Sequence, residues 1–357
     1  MSQQKRILVI DSAASSGGAM TVLKDFYKAV YQYGKAANWI FLLSDHYIES
    51  DKNIKVVVRP DLKGKMKRLA FDAGLENIFL DKIKPDLIFS LQNTVPKYDR
   101  AYKILYVHQP LPFQTIKKFS FLKKEEQKEA TIQYLLGVFI KKSINRSDEV
   151  IVQTKWMKKA VLSSCRLQET KVHQIYPPVE KTENQCEYDH TNQFFYPGSS
   201  QSYKNVNLLK EACKKLNGKG YKYDVYVTIE PEEQINNLHY IGKISHDEVM
   251  ERYSKSCLIF PSYIETFGYP LVEAKSEGAL ILASDCSFSH ELLDGYYNAY
   301  FFRYDSCSDL MALMERILNG NIVRKNTQIS TEAYHEQTNE NTWKKIIELL
   351  VTRAEGI

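Results

Sequence analysis

The chain lacks the features of disulfide-stapled, zinc-binding and membrane-spanning proteins. Its six cysteines form no CxxC pair and no Cys/His spacing typical of a metal site, which argues for a reducing compartment. The first apolar run, residues 7–10, is too short for a signal peptide. No stretch reaches the roughly 18 uncharged apolar residues that a transmembrane helix needs. We therefore expect a cytoplasmic protein.

The sequence also lacks internal repeats, low-complexity tracts and the common glycine-rich nucleotide motifs. Gly17 and Gly18 follow the first apolar run, but their loop has neither GxGxxG nor Walker A spacing, and a bare glycine pair is weak evidence for phosphate binding. No aromatic-basic motif of a known nucleic-acid module is present. A nucleic-acid partner is not expected.

Charge is distributed unevenly along the chain. The net charge of +5 combines about +12 in residues 1–180 with about −7 in residues 181–357. A basic first half suits an anionic partner, such as a membrane surface or a phosphorylated acceptor. Lysines that solvate surface helices explain the same balance equally well, and both interpretations stay open.

Short apolar runs alternate with amphipathic segments over the 357 residues, a length that suits two α/β domains. Strands are predicted at 6–10, 39–43, 54–58, 86–90, 103–107, 149–153, 194–196, 223–229, 238–241, 258–260, 280–283 and 299–302. Continuous apolar runs separated by helices predict parallel sheets that are covered on both faces. The predicted class is α/β, with two Rossmann-like, doubly wound domains that face each other across a cleft, the arrangement called GT-B.

The polar stretch 181–191 follows two prolines and is interpreted as a linker. It is predicted to separate an N-terminal domain (1–180) from a C-terminal domain (192–330). Residues 331–357 form a predicted C-terminal helix that could pack back on the first domain.

The most informative segment is FPSYIETFGYPLVEA, residues 260–274. A strand ends there, and Pro270 suits the first turn of a helix. Backbone N–H groups of Thr266, Phe267 and Gly268 would then lie at a helix N-terminus, which favours a diphosphate. Glu273 would lie in the first turn, within reach of ribose hydroxyls; an acidic residue that complements the helix dipole is the alternative.

Two glutamates separated by seven residues in this context, Glu265 and Glu273, resemble the EX7E motif of glycosyltransferase family 4. The resemblance spans nearly the whole chain and implies a retaining GT-B enzyme in which Glu265 contacts the donor sugar and Glu273 the ribose. No metal and no other cofactor is expected, because a lysine and a helix N-terminus would stabilise the leaving diphosphate. The implied partners are a nucleotide-sugar donor and a glycan or polyprenyl-diphosphate-linked glycan acceptor.

The same resemblance assigns roles upstream. The loop from Gly198 to Lys204 and Asn205 resembles a family loop with two basic diphosphate ligands, of which Lys204 matches one. Ser199 stands where the family has an arginine, and Arg303 is a candidate replacement. A surface lysine that starts a helix is the alternative for Lys204.

Three further places match the family. Main-chain groups at Lys243 and Ile244 are expected to contact the nucleobase, and an exposed loop cation is the alternative for Lys243. His108, at the carboxyl edge of a strand, matches a histidine near the donor sugar, although a lone histidine is more often structural. Gly17 and Gly18 match the loop beneath the donor phosphates and the acceptor.

The predicted function is retaining, metal-independent hexosyl transfer to a glycan or lipid-linked glycan in cell-surface polysaccharide synthesis, of the lipopolysaccharide or O-antigen type. A nucleotide-sugar 2-epimerase and a non-catalytic binding partner of the same fold are the alternatives. The segment 115–124 interleaves lysine pairs with Phe119, Phe121 and Leu122. It is a candidate for peripheral contact with the inner face of the plasma membrane. A solvated helix with one core face is its other interpretation.

Overall fold

The computed structural model describes residues 4–14, 17–179, 186, 188–326 and 341–357. The first half folds around a seven-stranded parallel sheet with strand order β3-β2-β1-β4-β5-β6-β7. Its strands are β1 (Arg6–Asp11), β2 (Asn38–Leu43), β3 (Ile54–Val58), β4 (Leu87–Ser90), β5 (Tyr102–Val107), β6 (Glu149–Val152) and β7 (Val172–Gln174). The central strands are buried on both faces, as a parallel sheet with helices on each side requires.

The described residues of the first half form α1 (Gly17–Tyr33), α2 (Lys65–Asp72), α3 (Asn77–Ile83), α4 (Gln127–Ala130), α5 (Gly137–Asn145) and α6 (Lys155–Ser164). A π-helical segment, Thr131–Leu136, joins α4 to α5. Helix α1 packs on one face of the sheet, whereas α2, α3, α5 and α6 contribute to the core on the other face.

The second half contains a six-stranded parallel sheet with strand order β10-β9-β8-β11-β12-β13. Its strands are β8 (Gln193–Tyr196), β9 (Asp224–Val227), β10 (Leu238–Tyr240), β11 (Cys257–Phe260), β12 (Ile281–Ser284) and β13 (Ala299–Phe302). The helices of the second half are α7 (Val206–Asn217), α8 (His246–Lys255), α9 (Tyr269–Ser276), α10 (Ser287–Leu293) and α11 (Cys307–Leu318). In each sheet the strand order reverses beside the first strand, β1 or β8. Such switch points open a crevice at the carboxyl ends of the strands.

The C-terminal helix, α12 (Asn341–Glu355), packs on the sheet of the first half rather than on the second. The Trp343 ring lies 5.4 Å from the Phe26 ring and 5.9 Å from the Tyr106 ring. Arg353 Nε donates to Glu149 Oε1 at 2.7 Å. The chain thus returns to its first half after completing the second sheet. The predicted start of this helix, at 331, lies outside the described residues, as does most of the predicted linker.

Hydrogen bonds join the two halves beside the cleft. Thr154 Oγ1 donates to the Thr266 carbonyl at 2.8 Å. Glu291 accepts from the backbone N–H groups of Lys155 and Trp156, at 2.7 and 3.0 Å, at the first turn of α6. A carboxylate from α10 therefore satisfies donors at the N-terminus of a helix in the other half, where the helix dipole also favours it.

The predicted α/β class is confirmed, with two corrections to the elements. Strand β7 was not predicted, because its sequence, Val-His-Gln, is short and polar and lies at the edge of the sheet. The interpretation of 115–124 as a helix is wrong, since this segment consists of loop and turn that ends in a short 3₁₀ turn, Lys124–Glu126. Phe119 is 3% exposed and packs in a cluster formed mostly by the second half.

Candidate active site

The loop between β11 and α9 follows the predicted strand–loop–helix pattern. Helix α9 begins after Gly268, with Pro270 in its first turn. Gly268 has φ +101°, a backbone conformation that is unfavourable for residues with a Cβ. A Cβ there would meet Leu271, Leu292 and Phe288 at ordinary contact distances of 3.5–3.6 Å. The positive φ is therefore sufficient to explain glycine at this position.

Two predicted site residues form a direct ion pair. Lys204 Nζ lies 2.5 Å from Glu265 Oε1, and Ser262 Oγ donates to the same oxygen at 2.6 Å. The side chains are 21% and 14% exposed. A partly desolvated lysine beside a helix N-terminus can bind an anion, and its charge is balanced by the carboxylate while no anion is bound.

Asn205 shapes the loop that carries Lys204. It has φ +59°, where asparagine is tolerated, and precedes the first residue of α7. Its amide donates to the carbonyls of Tyr304 and Pro261, at 2.8 and 3.3 Å. The side-chain N–H groups of Asn205 thus connect three loops of the second sheet, and its predicted contact with the donor stays a prediction.

Glu273 lies in the second turn of α9, and its predicted place in the first turn is wrong. Its carboxylate accepts from Tyr253 Oη at 3.1 Å and lies 3.4 Å from His246 Nε2. The Tyr253 side chain is buried, and burial together with Glu273 raises its pKa well above the usual value. The hydroxyl therefore stays protonated and orients the carboxylate, whose side chain is 15% exposed.

A cleft of about 550 Å³ brings residues of both halves together. Gly18, Thr21 and Asp25 line it from α1, and Tyr269 and Glu273 line it from α9. Gly18 and Glu273 were predicted to lie in two different segments of one site, and both line this cleft. A Cβ on Gly18 would meet no atom within 4 Å, so the cleft is open at this point. Gly17 is the first residue of α1.

His108 follows β5 at the carboxyl edge of the first sheet, as predicted. Its backbone N–H donates to Asn93 Oδ1 at 2.7 Å, and its ring contacts the Tyr106 ring edge-on at 5.7 Å. Burial lowers the pKa of His108 to about 4. The imidazole is therefore neutral near pH 7, and a neutral ring can donate from one nitrogen and accept at the other.

The upstream glycine loop and the missing arginine have local explanations. A Cβ on Gly198 would lie 2.3 Å from the Tyr196 ring, and Tyr196 Oη donates to the Ser199 carbonyl at 2.8 Å. Glycine is thus required at 198 by the packing of a tyrosine. Arg303 Nε lies 3.3 Å from Asp309 and its side chain is 68% exposed, so its charge is directed towards α11 rather than towards Lys204.

The remaining predicted donor contacts are main-chain groups. Lys243 and Ile244 lie in the loop between β10 and α8, and Lys243 is exposed. The Thr266 carbonyl is bound by Thr154, as described above, and the Phe267 side chain is 1% exposed. The Phe267 ring packs against those of Tyr176 and Tyr269, which anchors the loop before α9.

Asp11, at the end of β1, was missed by sequence reasoning. It is 2% exposed, and its Oδ2 has no hydrogen-bond partner within the described ranges. Burial raises its pKa to about 7, while a backbone N–H of Ala14 and the charge of Arg68 act in the opposite direction. The signal in the sequence was an acidic residue directly after four buried apolar residues, at the carboxyl edge where ligands bind. Perturbed acids in such places are candidate functional groups.

The family model for Glycosyl transferases group 1 matches residues 180–336. The matched range contains the whole sheet of the second half and the five helices α7–α11. Lys204, Glu265 and Glu273 all lie inside the matched range. The O-antigen chain mannosyltransferase RfbU of Salmonella typhimurium is 25% identical over 168 residues, which cover 43% of this chain. The match spans about half, 47%, of that relative.

Solved structures similar to this chain extend over both halves. The lipopolysaccharide outer core galactosyltransferase WaaB in its apo form covers 99% of each chain, with a TM-score of 0.62 and 15% identity. Anabaena Alr3699/HepE in complex with UDP-glucose covers 97% of this chain and 99% of its own, with a TM-score of 0.66 and 14% identity. The group 1 domain and the first half together have the GT-B fold, as predicted.

The described residues contain neither a metal-ligand cluster nor a membrane-spanning helix. Within them, no group of three or more His, Cys, Asp or Glu side chains is arranged as a set of metal ligands. Over the same residues, every helix is too short or too polar to span a bilayer.

Proposed function

We propose that the chain is a retaining glycosyltransferase of the family 4 type. It would transfer a hexosyl group from a nucleoside-diphosphate sugar to a hydroxyl of a glycan or lipid-linked glycan. The observation that carries the proposal is the Lys204–Glu265 pair, 2.5 Å apart, beside the N-terminus of α9. The match to group 1 glycosyl transferases and the similarity to a UDP-glucose complex support it.

In the proposed complex, the diphosphate lies at the N-terminus of α9 and contacts Lys204. The ammonium group and the helix N–H groups stabilise the negative charge that develops on the leaving diphosphate, the task that a metal ion performs elsewhere. Glu265, released from part of its pairing with Lys204, accepts hydrogen bonds from hydroxyls of the donor sugar. Glu273, oriented by Tyr253, accepts hydrogen bonds from the ribose.

Retention is proposed to follow a same-face route. The acceptor hydroxyl attacks the anomeric carbon from the side of the leaving diphosphate, and a phosphate oxygen takes up the hydroxyl proton. No protein nucleophile is required, and neutral His108 would lie beside the sugar as a hydrogen-bonding group. Closure of the cleft would exclude water, because hydrolysis of the donor competes with transfer.

The acceptor is proposed to lie on the first half of the chain, near Gly17, Gly18 and His108. Similarity to an O-antigen mannosyltransferase and to a lipopolysaccharide galactosyltransferase supports a glycan of a cell-surface polysaccharide, assembled on a lipid carrier at the cytoplasmic face of the membrane. The excess of positive charge in residues 1–180 suits a phosphorylated carrier.

A screen of UDP, GDP, dTDP and ADP sugars by thermal shift, followed by a transfer assay, tests the proposal. We expect one nucleotide class to raise the unfolding temperature, and we expect proton NMR of the product to show the anomeric configuration of the donor. Turnover of the donor without an acceptor, to a new nucleotide sugar, would identify an epimerase. A lack of stabilisation by all four classes would favour a non-catalytic binding partner. Full activity in EDTA is expected, and its loss would contradict the metal-independent route.

A further inference from the structure

The helix that runs from the π-helical segment into α5 carries four large apolar side chains on its outward face. Tyr134 is 39%, Leu135 57%, Val138 50% and Phe139 40% exposed. Phe121 and Leu122, from the preceding turn, are 46% and 96% exposed, and the Phe121 ring lies 5.9 Å from the Tyr134 ring. We name these six residues the apolar patch.

The apolar patch is the opposite of an ordinary surface-helix pattern. Its helical members recur at spacings of one and four residues, which place them on one face. The inward face is already filled by Gly137, Ile140 and Ile144, which are buried. The outward face would normally be polar, because exposed apolar area is unfavourable in water. Clustered exposed apolar side chains of this kind indicate an interaction surface.

The charges around the apolar patch have one dominant sign. Exposed lysines in or beside it are Lys118, Lys123, Lys124, Lys128 and Lys142. Of the three acidic residues in 115–142, Glu126 and Glu129 are each 4% exposed, and only Glu125 is exposed. Glu126 is also paired with Lys117 at 2.8 Å. Lys123 lies 3.6 Å from the same carboxylate, and the exposed charged side chains of this segment are still mostly lysines.

Side chains next to the apolar patch, on the same helix, contact the loop that precedes the patch in the sequence. Gln133 bonds the backbone of Phe119 and Lys117, and Lys141 Nζ lies 5.7 Å from the Phe113 ring. Residues 113–116 line a separate groove of about 490 Å³ that extends to Tyr263 and Ile264. Ile264 directly precedes Glu265. The helix that carries the apolar patch is thus connected to a segment that lines a groove beside the catalytic loop of the proposed enzyme.

We propose that the apolar patch docks on the surface of an anionic lipid bilayer. The six apolar side chains would lie at the boundary between headgroups and acyl chains, and the surrounding lysines would contact lipid phosphates. A bilayer suits this combination of a convex apolar face and a cationic rim, whereas a protein partner would need complementary acidic residues around an apolar groove. The structure moves the docking surface from 115–124 to residues 121–142, because Phe119 is buried and Lys117 is paired within the protein.

Vesicle flotation with the full chain tests the proposal. We expect binding to phosphatidylcholine vesicles that contain about 30% phosphatidylglycerol, with little binding to pure phosphatidylcholine and a strong decrease in high salt. The double variant Leu122→Asp with Phe139→Asp should lower the fraction bound at least about tenfold, since it places two anions where apolar groups enter the interface. Unchanged binding of this variant would overturn the proposal, as would the absence of binding by the wild type.

A matched control uses Tyr31, which is 59% exposed on α1, on the opposite face of the first sheet. Tyr31→Asp should bind vesicles as the wild type does, and an equal loss in both variants would show a nonspecific charge effect that contradicts the docking surface. Thermal unfolding and light scattering are measured for both variants.

If the wild type is a dimer that does not bind vesicles, and the double variant is a monomer, the apolar patch is a self-association surface instead. Stabilisation by a nucleotide sugar should be unchanged in the double variant, so that failure of docking and failure of the proposed transferase function are distinguished.

Discussion

Two carboxylates at the edges of the two sheets lie in opposite electrostatic environments. Glu265, in the second half, is bonded to the Lys204 ammonium and the Ser262 hydroxyl. Asp11, in the first half, is buried with one oxygen that lacks a partner among the described residues, and burial raises its pKa to about 7. The second half presents a charge-balanced site, whereas the first presents groups that burial holds near neutrality.

This difference suits the two ligands of a transfer reaction. A diphosphate is a permanent anion, and it is best held by a fixed cation and a helix N-terminus. In the proposed reaction the acceptor hydroxyl is neutral until a late stage, and a neutral neighbour such as His108 would leave its proton available to the departing phosphate. Four predictions can sharpen this comparison or break it.

The largest effect is expected in the second half. Lys204→Ala should lower the turnover number for transfer by about 10²–10³-fold, because it removes the cation that stabilises the leaving group and leaves Glu265 unpaired. The matched control, Lys214→Ala, removes a lysine of the same domain that pairs with Glu233 at the surface, and it should retain full activity. Transfer rates at saturating donor decide the matter, and normal turnover in Lys204→Ala would rule out its diphosphate role.

The next effect concerns pH and belongs to the first half. Asp11 ionises near pH 4 when unfolded and about pH 7 when folded, so its contribution to stability decreases by about 4 kcal/mol as the pH rises through that window. His108 has its pKa lowered from 6.5 to about 4, so its contribution is fully present above about pH 6.5 and decreases by up to about 3 kcal/mol as the pH falls to 4. In the wild type, the contributions of Asp11 and His108 to the free energy of unfolding therefore change with pH in opposite directions.

Single variants should expose each slope. Relative to the wild type, the unfolding midpoint of Asp11→Asn should decrease as the pH falls from about 7 to 4, because the variant lacks the stabilisation that protonation of Asp11 contributes there. Relative to the wild type, the midpoint of His108→Gln should decrease as the pH rises from about 4 to 6.5, because the variant lacks the stabilisation that deprotonation of His108 contributes there. Profiles parallel to the wild type in both variants would mean that neither group is perturbed as its burial implies.

A smaller effect is expected at Glu273. Glu273→Gln should raise the KM for the donor about tenfold with little change in turnover, since one charge-assisted hydrogen bond to the ribose is worth about 1.5 kcal/mol or more. Tyr253→Phe removes only the hydroxyl that orients this carboxylate, so it should change KM in the same direction by less. An effect on turnover alone, with KM unchanged, would contradict ribose binding.

The smallest effect compares one glycine from each half. Gly268→Ala should destabilise the fold by about 1–2 kcal/mol, because φ at this position is +101°. Gly18→Ala should leave stability unchanged or raise it by up to about 1 kcal/mol, since its Cβ meets no atom and α1 gains a better helix former. Unfolding midpoints measure both. A loss of transfer in Gly18→Ala without a change in midpoint would show that a ligand approaches this backbone closely.

Apolar runs were sufficient to predict most of the fold. Residues such as Ile7 and Val150 lie in continuous apolar segments, and burial on both faces of a parallel sheet leaves no other pattern. Strand β7 escaped prediction because an edge strand is buried on fewer sides, so Val172 is its one buried residue. The segment 115–124 was misinterpreted because its mixture of lysines and phenylalanines has no clear period, and contact with the other half decides which side chains are buried.

The candidate site was predicted unevenly. Glu265, Glu273 and Lys204 were assigned from motifs that resemble those of glycosyltransferase family 4, and the structure brings Lys204 and Glu265 together. Asp11 was not found, since its unusual pKa arises from burial beneath distant parts of the chain. The positive φ of Gly268 was also not predicted, because a backbone angle cannot be read from the residue type alone.

The sequence by itself determined two parallel α/β sheets and the order of loops at their carboxyl edges, because both depend on local apolar periodicity and on turns encoded nearby in the chain. Only the tertiary structure decided that Lys204 pairs with Glu265 across 61 positions, that Asn205 is used to hold loops, and that Gly18 and Glu273 face one cleft. Ion pairs, buried side chains and shifted pKa values depend on contacts between segments that are distant in the sequence. The packing of the two sheets and of α12 determines which segments are in contact.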